Sequence, residues 1–395
     1  MLKGKVEVRI FGEQHLTCKL NIMANELNIE YSTDELNDEY SNDDLLNIQS
    51  WGVDLSVQDL LNQYREGDIL KPELQRNYVW DKKEASRFVE SLLLGLPVPS
   101  IFLANMADGV RLIVDGYQRI MTLYHYVILG KWKDTEETFK LTNTDLINPK
   151  WRNKSFQELE VGDQRRLRLY TIHAIVFEQK RPRSDSSLFQ VFERINTSGK
   201  SLNAQEIRNC VYQGDLNSLL IQLNGNPDWR YLFGNEKPDE RMLDMELILR
   251  FFAMNNEVVY NSTRKYISLK QLLNNFMGMY IHADEQLLVS LTNNFNDVIS
   301  FIKSNFGETA FFNLQKDFSK YRRRLYPTVY DSLMIATSIA LGRGYHCEGA
   351  SLEEKKLNLL KNDEYREAIT QGTMQVVNIH KRISMVLSSI YNMDL

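Results

Sequence analysis

The chain has 395 residues, of which 43% are hydrophobic and 25% charged, and its formal net charge is −5. At about 150 residues per domain, this length predicts two or three domains with substantial cores. The acidic balance is atypical of a dedicated non-specific DNA-binding protein, so a nucleic-acid function would depend on local basic patches. Three clusters are candidates for such patches, or for ordinary solvated faces: Arg165, Arg166 and Arg168; Lys180, Arg181 and Arg183; and Lys320, Arg322, Arg323 and Arg324.

The three cysteines, Cys18, Cys210 and Cys347, are far apart and form no Cys-x-x-Cys pair. This spacing favours a reducing compartment and argues against disulfides or a structural zinc site. The first residues are charged throughout and lack the apolar core of a signal peptide. No run approaches the ~18 apolar residues of a membrane span. We therefore expect a cytoplasmic protein without a membrane partner.

An acidic segment precedes the first strong helix signal. Between Leu20 and Tyr64 there are ten acids and no lysine or arginine. Residues 1–50 are read as an acidic N-terminal lead-in, partly mobile over 30–50. Such a segment is either a solubilising arm or a strip that mimics nucleic acid and covers a basic site.

Helix and strand signals alternate after this segment. The predicted elements, in chain order, are helix 53–64, helix 81–95, strands 101–103 and 111–114 with a hairpin between them, helix 117–130, strand 173–177, helix 188–195 and helix 203–214. Capping-box patterns open the helices at Asp81 and Asn203.

The pattern beyond residue 215 is helical nearly throughout. The predicted helices are 242–252, 269–280, 285–306, 329–341 and 374–391. The sequence thus predicts an α+β protein, with a small mixed α/β domain over 51–215 and an all-helical domain over 216–395.

The first segment that could carry chemistry is Asp115-Gly116-Tyr117-Gln118-Arg119, between a strand and a helix. Glycine permits a tight turn and a close ligand approach, and the helix start favours an anion such as phosphate. Gln118 and Arg119 lie in the first turn, where a guanidinium can grip phosphate, and Asp115 can hold a divalent cation or a ribose hydroxyl. The alternative is an ordinary capped turn with Arg119 on the surface.

Two further segments gather polar and aromatic side chains. Residues 75–80 combine Arg76 with Tyr78 and Trp80, a set that suits phosphate contact and base stacking, or else anchors a loop to the core. Residues 192–209 place Asn196, Thr197 and Arg208 around a glycine turn and a new helix start, so that hydrogen-bond donors come together there. Asn203 and Glu206 are explained by capping.

Other chemistries receive little support. The six histidines are dispersed without metal-ligand spacing, and His125 has the surroundings of a satisfied core histidine. Gly199-Lys200-Ser201 resembles the end of a P-loop, but position 194 is an arginine instead of the required glycine, and the segment follows a helix.

Together these segments resemble the family of the GmrSD restriction endonuclease N-terminal domain, the DGQQR-motif proteins. The matching stretches are PELQRNYVW at 72–80, ESLLLGLPVP at 90–99, VDGYQR at 114–119, FERINTSG at 192–199 and QEIRN at 205–209. RMLDMELILR at 241–250 and YDSLM at 330–334 are similar to the helical region of stand-alone members.

The resemblance implies a fold similar to ParB and sulfiredoxin and a nucleotide-binding domain that supports NTP hydrolysis or DNA cleavage in defence against phage or modified DNA. It assigns the motif to Asp115, Gly116, Gln118 and Arg119, and flanking contacts to Arg76 and Asn196. The family's first glutamine is Tyr117 here. If that glutamine orients a water or a base, its replacement removes a catalytic group; if it only packs, Tyr117 can stack on a nucleobase and take part in nucleotide binding. The family's frequent C-terminal His-Asn-His nuclease domain is not recognisable.

Two functions follow as expectations. In the first, the protein is a nucleotide-binding NTPase or nuclease of a phage-defence type, with Asp115, Gln118 and Arg119 catalytic, Asp115 holding Mg²⁺ or Mn²⁺, and NTP or DNA as partner. In the second, the same pocket is a non-catalytic nucleotide or DNA sensor, which signals through the helical domain to a partner protein or by self-assembly.

Overall fold

The computed structural model describes residues 29–38, 48–71, 78–106, 109–179, 186–195, 202–256, 259, 262–346 and 352–395. The chain forms two compact units. One comprises residues 42–213, and the other joins residues 1–41 to residues 214–395. We call them the α+β unit and the helical unit.

The α+β unit is built on a five-stranded mixed sheet. Its strands are β1 (Ile48–Ser56), β2 (Ile69–Leu70), β3 (Ile101–Asn105), β4 (Arg111–Asp115) and β5 (Thr171–Gln179). They lie in the order β1-β5-β3-β4-β2, with β3 parallel to β5 and antiparallel to β4. The strands predicted at 101–103, 111–114 and 173–177 are confirmed, and β4, which ends at Asp115, lies between the central strand β3 and the short edge strand β2.

Helices account for much of the remaining structure described in this unit. They are α1 (Val57–Glu66), α2 (Lys82–Leu94), α3 (Tyr117–Leu123), α4 (Val161–Leu169), α5 (Ser186–Ile195) and α6 (Ala204–Val211). The predicted capping boxes at Asp81 and Asn203 are both formed. After Leu123 the backbone continues as a π-helix through Leu129 and ends at Gly130. The shared core includes Leu60, Leu92, Ile113 and Ile120.

The predicted helix over 53–64 is wrong at its start. Residues 53–56 belong to β1, where Val53 pairs with Ala174 of β5. The helix begins at Val57, because the Ser56 hydroxyl accepts a hydrogen bond from the Asp59 amide at 3.1 Å and caps it. Serine is a preferred N-cap residue, and this cap defines the boundary between strand and helix.

The helical unit contains α7 (Asp215–Asn224), α8 (Pro227–Phe233), α9 (Leu243–Met254), α10 (Leu269–Met279), α11 (Glu285–Phe306), α12 (Pro327–Gly342), α13 (Leu352–Lys361), α14 (Asp363–Thr370) and α15 (Val376–Val386). Helix α12 contacts α9, α11 and α15 and is buried along most of its length. Each of the five helices predicted beyond residue 215 is present within a few residues of its predicted bounds. No helix among the described residues is both long and apolar enough to cross a membrane.

The predicted all-helical domain also contains a β-hairpin. Strands β6 (Phe312–Leu314) and β7 (Tyr321–Leu325) pair antiparallel. The turn is closed by the Gln315 amide, which donates to the Lys320 carbonyl at 3.0 Å. The sequence pattern does not predict strand β7, because charged residues occupy both of its faces.

Residues 29–38 form part of the helical unit in place of the expected solubilising arm. Ile29 is buried and pairs with Leu325, and a short helix at Thr33–Leu36 follows. Glu35 forms an ion pair with Arg250, and Asp38 accepts a hydrogen bond from the Lys270 amide at 2.7 Å. The side chains of these two acids are held in place because each contacts a donor group that belongs to the helical unit. The acidic residues over 39–47 lie outside the described residues.

Candidate functional site

The turn between β4 and α3 has the predicted strand–glycine–helix form. Gly116 has φ +104°, a left-handed conformation that favours glycine. A β-carbon there would lie 2.5 Å from Cγ2 of Ile101. The glycine is therefore required by chain packing, because a side chain at this position would meet Ile101.

Arg119 is engaged by the domain itself. Its Nη2 donates to Oδ2 of Asp115 at 2.5 Å, and its Nη1 donates to the carbonyls of Pro99 and Ser100 at 2.5 and 2.9 Å. The Arg119 side chain is 11% exposed and that of Asp115 is 32% exposed. The guanidinium thus ties the end of β4 to the residues just before β3, which is a positioning role for the arginine.

Gln118 holds the segment that precedes α2. Its Oε1 accepts hydrogen bonds from the amides of Val79 and Trp80, at 2.9 and 3.2 Å. This contact joins two of the three sequence segments, since residues 78–80 belong to the PELQRNYVW stretch. The first turn of α3 therefore carries two side chains, Gln118 and Arg119, that each hold a neighbouring loop in place through hydrogen bonds.

The side chains of Tyr78 and Trp80 pack against aromatic side chains of the same unit. Tyr78 stacks on His125 with centroids 5.3 Å apart, and its hydroxyl lies 2.7 Å from that of Thr122. Trp80 meets Phe88 edge to face at 5.6 Å. Burial raises the pKa of Tyr78 and lowers that of His125. The geometry gives both aromatics an anchoring role, and base stacking by them stays a prediction.

His125 is a core histidine, as expected, but it is only partly satisfied. It is 5% exposed, and its Nδ1 has no hydrogen-bond partner among the described residues.

Tyr117, the departure from the family motif, lies beside a lysine that sequence reasoning missed. The Lys71 ammonium is 5.0 Å from the centroid of the Tyr117 ring, and Tyr117 is 8% exposed. Burial raises the pKa of Tyr117 and lowers that of Lys71. The position of Lys71, directly before the PELQRNYVW stretch, is the one signal in the sequence that marks it.

Of the remaining predicted contact residues, Arg208 is the one that lies among the described residues. Arg208 is 1% exposed, donates to Oε1 of Gln205 at 3.0 Å and packs over the Phe189 ring at 5.7 Å. Arg76, Asn196 and Thr197 lie outside the described residues. A phosphate contact by Arg208 would require its guanidinium to leave a buried setting.

The donor set does not fit a divalent ion held by the protein at Asp115. The described residues contain no cluster of three or more His, Cys, Asp or Glu side chains that could ligate a metal. Asp115 offers one carboxylate, and one of its oxygens is already paired with Arg119. Mg²⁺ bound through so few protein oxygens takes most of its ligands from substrate phosphates and water.

The sheet, the glycine turn and the hydrogen bonds of Gln118 and Arg119 define an α+β domain organised around its Asp-Gly-Tyr-Gln-Arg segment. Residues 57–213 match the family described as GmrSD restriction endonuclease, N-terminal domain. The resemblance seen in the motifs is thereby confirmed, and the matched range leaves out the segments at 241–250 and 330–334. No curated protein and no solved structure matches the chain.

Proposed function

We propose that residues 57–213 form the nucleotide-binding domain of a restriction-type protein that acts in defence against phage or modified DNA. The observation that carries the proposal is the family match of these residues to a restriction endonuclease N-terminal domain. The proposed ligand is a nucleoside triphosphate, bound at the end of β4 where the Asp115–Arg119 segment lies.

The charges around this segment support an anionic ligand. Lys71 brings an ammonium to the Tyr117 ring, and the cation–π contact leaves its N–H groups able to meet phosphate oxygens. The chain then runs directly into the stretch that contains Arg76. In this proposal Lys71 and Arg76 contact the phosphates, and Arg119 holds Asp115 in place.

Turnover would require Asp115 to act as a base or to meet a metal ion that arrives with the nucleotide. The carboxylate is one-third exposed, so water can reach it, but its Oδ2 accepts the short hydrogen bond from Arg119. A carboxylate that water can reach can accept a proton or meet a cation. NTP hydrolysis and DNA cleavage are therefore both retained as reactions to test.

The first test is nucleotide binding by the full chain. Titration with a fluorescent NTP is expected to give saturable binding, and Lys71→Gln is expected to weaken it by about tenfold, since a hydrogen bond to a charged group contributes about 1.5–3 kcal/mol. Lys140→Gln is the matched control, because it removes a lysine from a surface pair with Glu158 in the same unit. Equal affinity in the wild type and Lys71→Gln would contradict the proposal.

A non-catalytic sensor is the second candidate, and one observation favours it. Tyr117 replaces the motif glutamine, is largely buried and packs under Lys71. A phenol whose pKa is raised by burial stays protonated at neutral pH and so does not serve as a general base, although its ring can pack against a nucleobase. The bound state would then be transmitted to a partner protein or to self-assembly.

Turnover separates the two candidates. Phosphate release and DNA cleavage are measured with Mg²⁺ and with Mn²⁺, in the wild type and in Asp115→Asn. Hydrolysis that is lost in Asp115→Asn, while nucleotide binding persists, supports the enzyme. Binding without turnover under either metal supports the sensor.

A further inference from the structure

The β6–β7 hairpin forms a concentrated basic surface in an acidic chain. Residues 312–326, which we call the basic ribbon, carry five basic residues and one acid, Asp317, for a net charge of +4. The five are Lys316, Lys320, Arg322, Arg323 and Arg324. Lys316, Lys320 and Arg323 are exposed, and the side chains of Arg322 and Arg324 are 39% and 36% exposed. This is the third basic cluster noted in the sequence, and the proposed function does not use it.

One face of β7 is covered by a single acid. Alternate residues of a strand lie on the same face, which brings Arg322, Arg324 and the following Tyr326 together. Glu30 meets all three. Its Oε1 accepts from Nη1 of Arg322 at 3.1 Å, and its Oε2 is 3.0 Å from Nη2 of Arg322 and 3.5 Å from Nη1 of Arg324. The Tyr326 hydroxyl donates to the same Oε2 at 2.9 Å.

The Arg322–Glu30 contact has the geometry of anion recognition. Two nitrogens of one guanidinium meet two oxygens of one carboxylate, and the same fork binds phosphate oxygens. A second guanidinium and a phenol complete four donors around one small anion. Glu30 thus occupies the position that a phosphate group would take on this face.

The backbone of Glu30 is held while its side chain stays accessible. The Glu30 amide donates to the Leu325 carbonyl at 2.8 Å, and five residues later Glu35 is buried against Arg250. The Glu30 side chain, in contrast, is 31% exposed. A change of side-chain rotamer would release the two arginines without detaching residues 29–38 from the helical unit.

We propose that the basic ribbon binds the phosphodiester backbone of nucleic acid, and that Glu30 is a built-in acidic competitor for the same arginines. Exposed Lys316 and Lys320, at the turn of the hairpin, extend the positive surface beyond the site that Glu30 covers. Nucleic-acid binding releases counterions in proportion to the phosphates neutralised, so the ribbon gives a salt-dependent interaction. This site lies in the helical unit and does not depend on nucleotide binding near Asp115.

The test is binding of the full chain to a short fluorescent DNA duplex and to an RNA duplex of the same sequence, over a series of salt concentrations. Arg322→Gln is expected to weaken binding by about tenfold at low salt and to reduce the slope of log K against log salt by about 0.9. Glu30→Gln is expected to tighten binding by about threefold to fivefold, as an exposed ion pair competes only weakly. The duplex that shows this order of affinities identifies the nucleic acid.

A second ion pair in the same unit supplies matched controls. Lys303 and Asp228 lie 2.6 Å apart with side chains 38% and 33% exposed, close to the values of Arg322 and Glu30. Lys303→Gln and Asp228→Asn make the same charge changes away from the ribbon and should shift affinity far less.

The double variant Glu30→Gln/Arg322→Gln should gain less over Arg322→Gln than Glu30→Gln gains over the wild type, since of the two arginines that Glu30 meets Arg324 is then the one left to release. Equal affinities of Glu30→Gln and the wild type, or equal effects of Arg322→Gln and Lys303→Gln, would overturn the proposal. Because Glu30→Gln predicts a gain of binding, unfolding of an arginine variant cannot imitate the whole result.

Discussion

Each unit uses one arginine to join distant segments, and the two arginines differ in burial. Arg119 ties the end of β4 to the residues before β3 and keeps 11% of its side chain exposed. Arg250 lies in the helical unit at 0% exposure, bonded to Asp331 through Nε and Nη2, both at 2.6 Å, and paired with Glu35. Arg119 thus remains near solvent, whereas Arg250 is enclosed.

The difference shows which partners a charged side chain needs when it is buried. An enclosed guanidinium must have acids placed around it, so the cluster of Arg250, Asp331 and Glu35 fixes residues 29–38 to the helical core. A partly exposed guanidinium can be satisfied by one acid and two carbonyls, with water close by. Such a site keeps a carboxylate accessible, as Asp115 is.

The largest expected effect is in the enclosed cluster. Arg250→Met leaves Glu35 buried without its ion-pair partner and leaves Asp331 with the longer contact to Arg382 at 3.4 Å, and we expect it to destabilise the helical unit by about 3–5 kcal/mol. Hydrogen exchange of α9 and α12 measures the loss. Lys381→Met, from an exposed pair with Glu364, is the control and should cost at most about 1 kcal/mol. Equal losses would remove the distinction between enclosed and exposed pairs.

The next effect tests the glycine turn of the α+β unit. Gly116→Ala combines a left-handed φ with a contact 2.5 Å from Ile101, and we expect a loss of about 3 kcal/mol in urea unfolding. Gly67→Ala has φ +87° and no heavy atom within 4 Å of the added β-carbon, so it should lose only about 1 kcal/mol. If the two variants lose the same stability, the close approach to Ile101 has no energetic consequence.

A smaller and more local effect is expected at Gln118. Gln118→Leu leaves the amides of Val79 and Trp80 without their acceptor, at a cost of about 1–3 kcal/mol. Hydrogen exchange of these two amides should accelerate by at least about tenfold. Gln118→Glu retains the acceptor oxygen and should keep their protection, and a Glu variant that exchanges as fast as the Leu variant would show that Oε1 does not hold this segment.

The smallest effect is a pH dependence from a second enclosed cation of the helical unit. The Lys356 ammonium donates to the carbonyls of Thr309 and Ala310 at 2.5 and 3.1 Å, and burial lowers its pKa to about 7. The folded state therefore favours the neutral amine. The stability that the buried neutral amine contributes to the folded state is fully present above the unfolded-state pKa of about 10.4. It is lost as pH falls from there to about 7.

Between pH values of about 7 and 9, the wild type should accordingly gain at most about 1.4 kcal/mol of stability per pH unit relative to Lys356→Met. Urea unfolding at each pH measures the difference. Lys355→Met serves as the control, because the Lys355 ammonium is bonded to the Ile390 carbonyl and is less enclosed. A Lys356→Met curve parallel to that of the wild type would show that the buried amine does not titrate in this range.

The sequence by itself determined the features that depend on local chemistry. The capping boxes at Asp81 and Asn203 fix helix starts because donor and acceptor are three residues apart. The runs that became β3, β4 and β5 are short and apolar, and the spacing after residue 215 is helical. The motif stretches identified the family, since their order is itself a property of the sequence.

Only the tertiary structure decided what the motif side chains contact. Gln118 reaches residues 79 and 80, and Arg119 reaches Pro99 and Ser100, across separations that local patterns do not register. Likewise, Glu30 meets Arg322 from 292 positions away, so an acidic segment and a basic run that looked unrelated became one contact. Hydrogen bonds and ion pairs act over a few ångströms of space whatever the distance along the chain, and the fold alone sets which groups come that close.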